Sequence, residues 1–282
     1  MRTIAMLTVR EAARRRVLAV LLLLTIVVVI LTGWGVERLA TLARSNGVSE
    51  LQIRIGVSQV LILVAFMFSF VLAMTAAFLG APAIAVDIES GVAQSMLARP
   101  IRRADLVVGR WLGLSIVVAA YGAGAGLLEI GTVFVVTGHA PPEPFVAVAF
   151  LAAQAVVILT FALLLSTRLP SMAGGAICVV LFGLAWMAGV FAGIGSLFDV
   201  ELLVQVAQAS RWLFPTDGLW RGVVFGLEPP LVVLGASGAG RVAQANPFYA
   251  ANPPPLEFVV WSVAWVAVVL LLAVWSMNRR EV

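Results

Sequence analysis

The chain reads as an all-α polytopic membrane protein with six transmembrane helices, and three observations predict this. Of its 282 residues, 62% are apolar and 11% charged, whereas soluble globular chains carry about 25% charged residues. Mean hydropathy is +1.08. Apolar runs recur at lengths near or above the roughly 20 residues that cross a bilayer. The expected spans are about 17–35, 57–86, 106–137, 145–167, 171–198 and 258–276, within a single transmembrane domain covering 1–282.

Residues 1–16 precede the first span and scatter Ile4 and Leu7 among Arg10, Arg14, Arg15 and Arg16, with Val17 following. This basic amphipathic pattern predicts an elbow helix lying along the membrane surface. The first span has a basic flank like a signal peptide. Its apolar core continues through TIVVVILTGWG without a small-residue cleavage site, so it is expected to be retained. The second and third spans run to about 30 residues, more than the bilayer core needs, and therefore tilt or project. Projection would carry the polar loop 87–105 away from the membrane.

The third span holds Gly122, Gly124, Gly126 and Gly131, and the fifth holds Gly189 and Gly193. Small residues of this kind permit close helix approach, within one chain or between two copies. The segment 199–257 is expected outside the membrane. It opens with the amphipathic ELLVQVAQASRWLF and continues as PTDGLWRGVVFGLEPP. Thr216 or Asp217 suits the cap of a short helix, and Glu228, Pro229 and Pro230 stop the following apolar run. Two interfacial or partly re-entrant helices are predicted here, before an irregular Gly/Pro loop ending in ANPPP.

The positive charge comes from arginine alone, since no lysine occurs. With both termini on one side, twelve arginines fall there (Arg2, Arg10, Arg14, Arg15, Arg16, Arg99, Arg102, Arg103, Arg110, Arg168, Arg279, Arg280). Six fall on the other (Arg38, Arg44, Arg54, Arg211, Arg221, Arg241). That asymmetry predicts cytoplasmic termini. It also explains the pI of about 10.5 by membrane orientation, so no nucleic-acid partner is expected.

Without lysine the chain has no Walker A loop, which requires GK followed by Ser or Thr. The lone Cys178 cannot form an intrachain disulfide and reads as a small buried hydrophobe. The lone His139 excludes an HExxH metalloprotease site and, in its Gly/Pro loop, is expected to be solvated. No metal site is predicted.

Glu129 is the acid lying well inside a span, and intramembrane acids commonly mark transport paths. Gln154 and Thr160 in the next span are weaker path candidates, since both can simply bond across helices. Trp34, Trp111, Trp212, Trp220 and Trp261 fall near expected membrane borders, as interfacial anchors do. The scattered methionines read as packing residues rather than a copper route.

Four segments in order, IAMLTVREAARRRVL, AIAVDIESGVAQSMLARPIRRADLVVGRWLG, LFPTDGLWRG and WSMNRREV, resemble bacterial ABC-2 type permeases, the membrane subunits of type V ABC exporters. The resemblance spans nearly the whole chain, and its second segment is the most specific. It implies a cytoplasmic coupling helix within 87–105, with Asp87, Glu89, Ser90, Gly91, Arg99, Pro100 and Arg103 as the ATPase-coupling element. The PTD segment is similar to the outer region of the permease that serves nitrous-oxide-reductase maturation, so Pro215, Thr216 and Asp217 are expected at an extracytoplasmic gate. The outer loop nevertheless offers no cysteine, so a copper-linked cargo is not implied.

The resemblance further implies a non-catalytic permease in the bacterial cytoplasmic membrane, working with two ATPase subunits that carry the ATP and Mg, a second permease copy and membrane lipids. An extracytoplasmic accessory protein would fit the long outer segment. Two other functions are compatible with the residues: a proton-coupled secondary transporter using Glu129, and a non-transporting membrane scaffold for an extracytoplasmic partner.

Overall fold

The computed structural model describes residues 1–14, 16–90, 102–230, 232 and 240–280. Among these the regular structure is helical: α1 (Arg2–Ala13), α2 (Arg16–Ser45), α3 (Glu50–Gly80), α4 (Pro82–Glu89), α5 (Arg103–Thr137), α6 (Pro144–Ser166), α7 (Ser171–Leu197), α8 (Glu201–Leu213), α9 (Thr216–Leu227), α10 (Arg241–Ala245) and α11 (Leu256–Asn278). Six helical stretches are long and apolar enough to cross a membrane, with α3 and α4 counted as one. The all-α polytopic class expected from composition therefore holds.

The centre of the bundle is α6, which touches α3, α4, α5, α7, α9 and α11. It consists almost wholly of apolar residues, as a helix surrounded by other helices must. Leu159, Ala162 and Leu163 are fully buried. Around it, α2 is peripheral, contacting α3 and α5, and most of its long apolar side chains are exposed on the isolated chain, as suits a lipid-facing helix.

Two of the long helices start or end beyond the expected limits. α2 continues to Ser45 rather than stopping near 35, because Gly33 and Gly35 do not break it and Val36 and Ala40 bury their side chains. α3 begins at Glu50 instead of 57. Ser49 and Gln52 form a reciprocal capping box at its start, a signal visible in the sequence as S-x-x-Q. Across the turn, Arg44 pairs with Glu50 at 2.7 Å. At the other end Pro82 occupies the first position of α4 and breaks the second span in two, since proline lacks an N–H and its ring clashes with the preceding turn.

The amphipathic segment at the start is a separate helix, α1, packed along α5. Its seat is made by Gly109 and Gly113, where any added side chain would strike Ile4, Thr8 or the α1 backbone. Thus Ile4, Thr8 and Ala12 form the inward stripe while Leu7 is 59% exposed on the isolated chain. The reason is local: a backbone-close seat accepts small and β-branched residues rather than leucine.

Of the two helices expected in 199–257, α8 is amphipathic and buries only Ala207. By contrast α9 is buried on nearly every side, against α6, α3 and α7. The expected side-chain cap on α9 is absent: Pro215 is its N-cap residue and no side chain bonds the free N–H groups. Asp217 is engaged by arginines instead. Trp220 is likewise not an interfacial anchor. It is 1% exposed, donates to the Pro247 carbonyl at 3.1 Å, and packs edge-on to Phe66 and Phe248.

Candidate functional site

Three regions gather the polar residues of an otherwise apolar chain. The first is the end of the bundle where α1 starts and α11 finishes. There Asp87 on α4 is ion-paired with Arg110 on α5, and Arg110 also donates to the Ala83 carbonyl. Glu89 accepts the backbone N–H of Ser171 at 3.3 Å, so an acid sits on the positive N-terminal end of α7. Ser90 turns back onto the Val86 carbonyl at 2.7 Å. Helix α4 is thereby fastened to α5 on one side and α7 on the other.

Arg103, at the start of α5, donates to the carbonyls of Met277 at 3.0 Å, Asn278 at 3.2 Å and Arg280 at 2.6 Å. Arg168 bonds Ser276 through its hydroxyl at 2.9 Å and its carbonyl at 3.1 Å, and Arg280 donates to the Thr167 carbonyl. Guanidinium groups thus satisfy the last carbonyls of α6 and α11, where the helix dipole favours cations. Of the residues expected in the coupling element, Asp87, Glu89, Ser90 and Arg103 lie at this end. Gly91, Arg99 and Pro100 lie outside the described residues.

The second region is the membrane interior. Glu129 is 8% exposed and its Oε1 has no hydrogen-bond partner among the described residues. It lines a cavity of about 40 Å³, otherwise apolar but for Thr25, between α2, α3, α5, α6 and α9. That is room for a water or two. Gln154 accepts from the Ser69 hydroxyl at 2.7 Å and donates to the Thr216 carbonyl at 3.2 Å, joining α3, α6 and α9. Thr160 accepts the Trp111 indole N–H at 2.8 Å. Of the three path candidates, Glu129 lines this cavity and Gln154 and Thr160 do not. Gln154 instead holds the residue that opens α9.

The third region lies at the opposite end. Asp217, 5% exposed, accepts from Arg211 at 2.6 Å and faces Arg221 at 3.8 Å. Its carboxylate rests against Gly189 of α7, the position where any added side chain would collide with it. Pro215, Thr216 and Asp217 are therefore brought together with α7 and with Gln154. In the sequence Arg211 and Arg221 read only as orienting charges. The i, i+4 spacing of Asp217 and Arg221 on one helix face was the signal that links them.

His139 is not simply solvated. Its Nε2 is 2.7 Å from the hydroxyl of the fully buried Ser58, and burial, with Arg54 nearby, pushes its pKa down. Glu228 is 3% exposed and accepts the Ala250 N–H at 2.8 Å. Burial pushes its carboxyl up to about 7.

No group of three potential metal ligands occurs among the described residues. It is an arrangement of helices clamped at both ends. Residues 2–282 match the family model described as ABC-2 family transporter protein. The chain belongs to that family.

Membership makes this ABC-2 protein a multi-pass membrane permease component of an ABC transporter, a class that associates with an ATPase subunit. The match is to the family as a whole and does not single out the nitrous-oxide-reductase maturation branch. None of the curated proteins matches the chain.

Proposed function

We propose that this permease is the membrane subunit of an exporter in the bacterial cytoplasmic membrane, with cytoplasmic termini and without catalytic residues of its own. Two copies pair around a central path, and two separate ATPase subunits carry ATP and Mg. The ATPases grip the segment 87–105. The observation that carries this reading is the double fastening of α4, by Asp87 to Arg110 and by Glu89 to the start of α7. A push on the loop after Ser90 would reach α5 and α7 as rigid bodies. Arg103, tied to the end of α11, would carry the same displacement to the last span. At the far end Pro215, Thr216 and Asp217 act as the gate, since α9 is held by Gln154 and by the Gly189 contact.

The test is co-purification with the cognate ATPase, followed by ATP-dependent uptake in inverted vesicles. Gly91→Trp and Arg99→Glu are expected to abolish ATPase association while the protein still inserts and elutes as a single species. If both variants retain association and coupled transport, 87–105 is not the grip. Transport without ATP that is lost in Glu129→Gln would instead identify a proton-coupled carrier. Capture of an extracytoplasmic partner without transport would identify a scaffold.

A further inference from the structure

At the end of the bundle opposite the α4 clamps lies a cavity of about 590 Å³, bounded by α7, α8, α9, the 249–255 segment and the start of α11. Its charged lining residues are Arg211 and Arg221. Asp217 stands behind them, in contact with Arg211 at 2.6 Å and farther from Arg221 at 3.8 Å. The wall therefore presents two cations against one buried carboxylate.

Arg221 is the informative member. Its Nε is buried, 3.8 Å from the Asp217 carboxylate and without a hydrogen-bond partner among the described residues, while 23% of the side chain stays exposed. A buried guanidinium N–H without an acceptor is costly, and such orphaned groups call for a specific explanation. Burial and the neighbouring Arg211 both act against its charge, with only Asp217 in its favour. Glu228 accepts the N–H of Ala250, which lines the cavity, and does not itself line it. Guanidinium groups present a planar fork that matches carboxylate and phosphate oxygens. The rest of the wall includes Trp212, Phe258 and Pro253, surfaces suited to an apolar body beside the anionic group.

We propose that this cavity is a binding site for an oxyanion carried on an apolar body, with Arg221 as the principal contact and Arg211 as its partner. The shared chemistry is a phosphate or carboxylate group, delivered by a lipid headgroup or by a soluble anion. The inference rests on the cavity alone and stands apart from the coupling reading, because binding is measured without an ATPase.

The experiment uses the full chain in neutral maltoside micelles, titrated separately with inorganic phosphate, dioctanoyl phosphatidylglycerol and dioctanoyl phosphatidylcholine. Readouts are the melting temperature and the tryptophan fluorescence to which Trp212 contributes. Saturable stabilisation is expected, with at least tenfold weaker apparent affinity in Arg221→Gln and partial retention in Arg221→Lys. Arg38→Gln, which removes an exposed cation elsewhere, should bind as wild type. A response to both phosphate and phosphatidylglycerol supports an oxyanion site open to soluble anions. A response to phosphatidylglycerol alone supports a lipid source, and one to phosphate alone overturns the apolar-body part of the proposal. If Arg221→Gln does not fold, Arg211→Gln carries the same reading. No saturable response to either anion, equal loss in Arg38→Gln, or equal binding of phosphatidylcholine overturns the proposal.

Discussion

Asp87 on α4 and Arg110 on α5 form an ion pair whose side chains are only 15% and 14% exposed. Removing one partner leaves the other charge stranded in a poorly hydrated place. Asp87→Asn and Arg110→Gln should each destabilise the protein by on the order of 3 kcal/mol. Thermal melting in detergent would register this. The exchange Asp87→Arg with Arg110→Asp should recover part of the loss. Recovery is partial because Arg110 also serves the Ala83 carbonyl. No recovery would mean that the charges act separately.

Gln154 closes a relay from Ser69 to Thr216 through two hydrogen bonds. Gln154→Leu keeps the volume and strands a hydroxyl and a carbonyl, at a cost of about 1–3 kcal/mol. The double variant with Ser69→Ala should lose less than the two single losses combined, since the pair shares one bond. Strict additivity in the melting data would argue against the relay.

Gly189 has the Asp217 carboxylate where a side chain would project, while an added Cβ at Gly124 meets nothing within 4 Å. Gly189→Val should therefore destabilise by about 1–3 kcal/mol. Gly124→Ala should leave the isolated chain as stable or gain up to about 1 kcal/mol of helix propensity. If Gly124→Ala instead splits a dimer on size exclusion, that face of α5 meets the second copy.

Glu228 has its carboxyl pushed up to about 7 by burial, above the ordinary carboxylate value. The folded state then holds a proton that the unfolded chain has already released, so stability is full below the ordinary value. It falls as pH rises through about 7. Melting temperature should decline between pH 5 and pH 8, and Glu228→Gln should flatten that decline. His139 acts in the opposite sense. Its pKa is lowered by burial and Arg54, so its contribution is present above the ordinary histidine value and is lost as pH falls through its folded value. An unchanged slope in Glu228→Gln would refute the assignment.

Six apolar runs were enough to read a six-helix membrane protein, because burial in lipid demands long apolar helices whatever surrounds them, while the family is legible only through the resemblance of four segments to ABC-2 type permeases. The S-x-x-Q start of α3 is also legible as a capping box. The partners of individual polar side chains are not. Nothing in the spacing of Glu89 and Ser171, or of Gln154 and Thr216, says that they meet. Trp220 and Asp217 read as a border anchor and a helix cap, yet the fold buries one and turns the other onto two arginines. Local sequence determines which segments are helical and membrane-soluble, since that depends on each segment's own transfer free energy. Which buried polar groups pair depends on helices distant in the chain, and only their packing around α6 decided it.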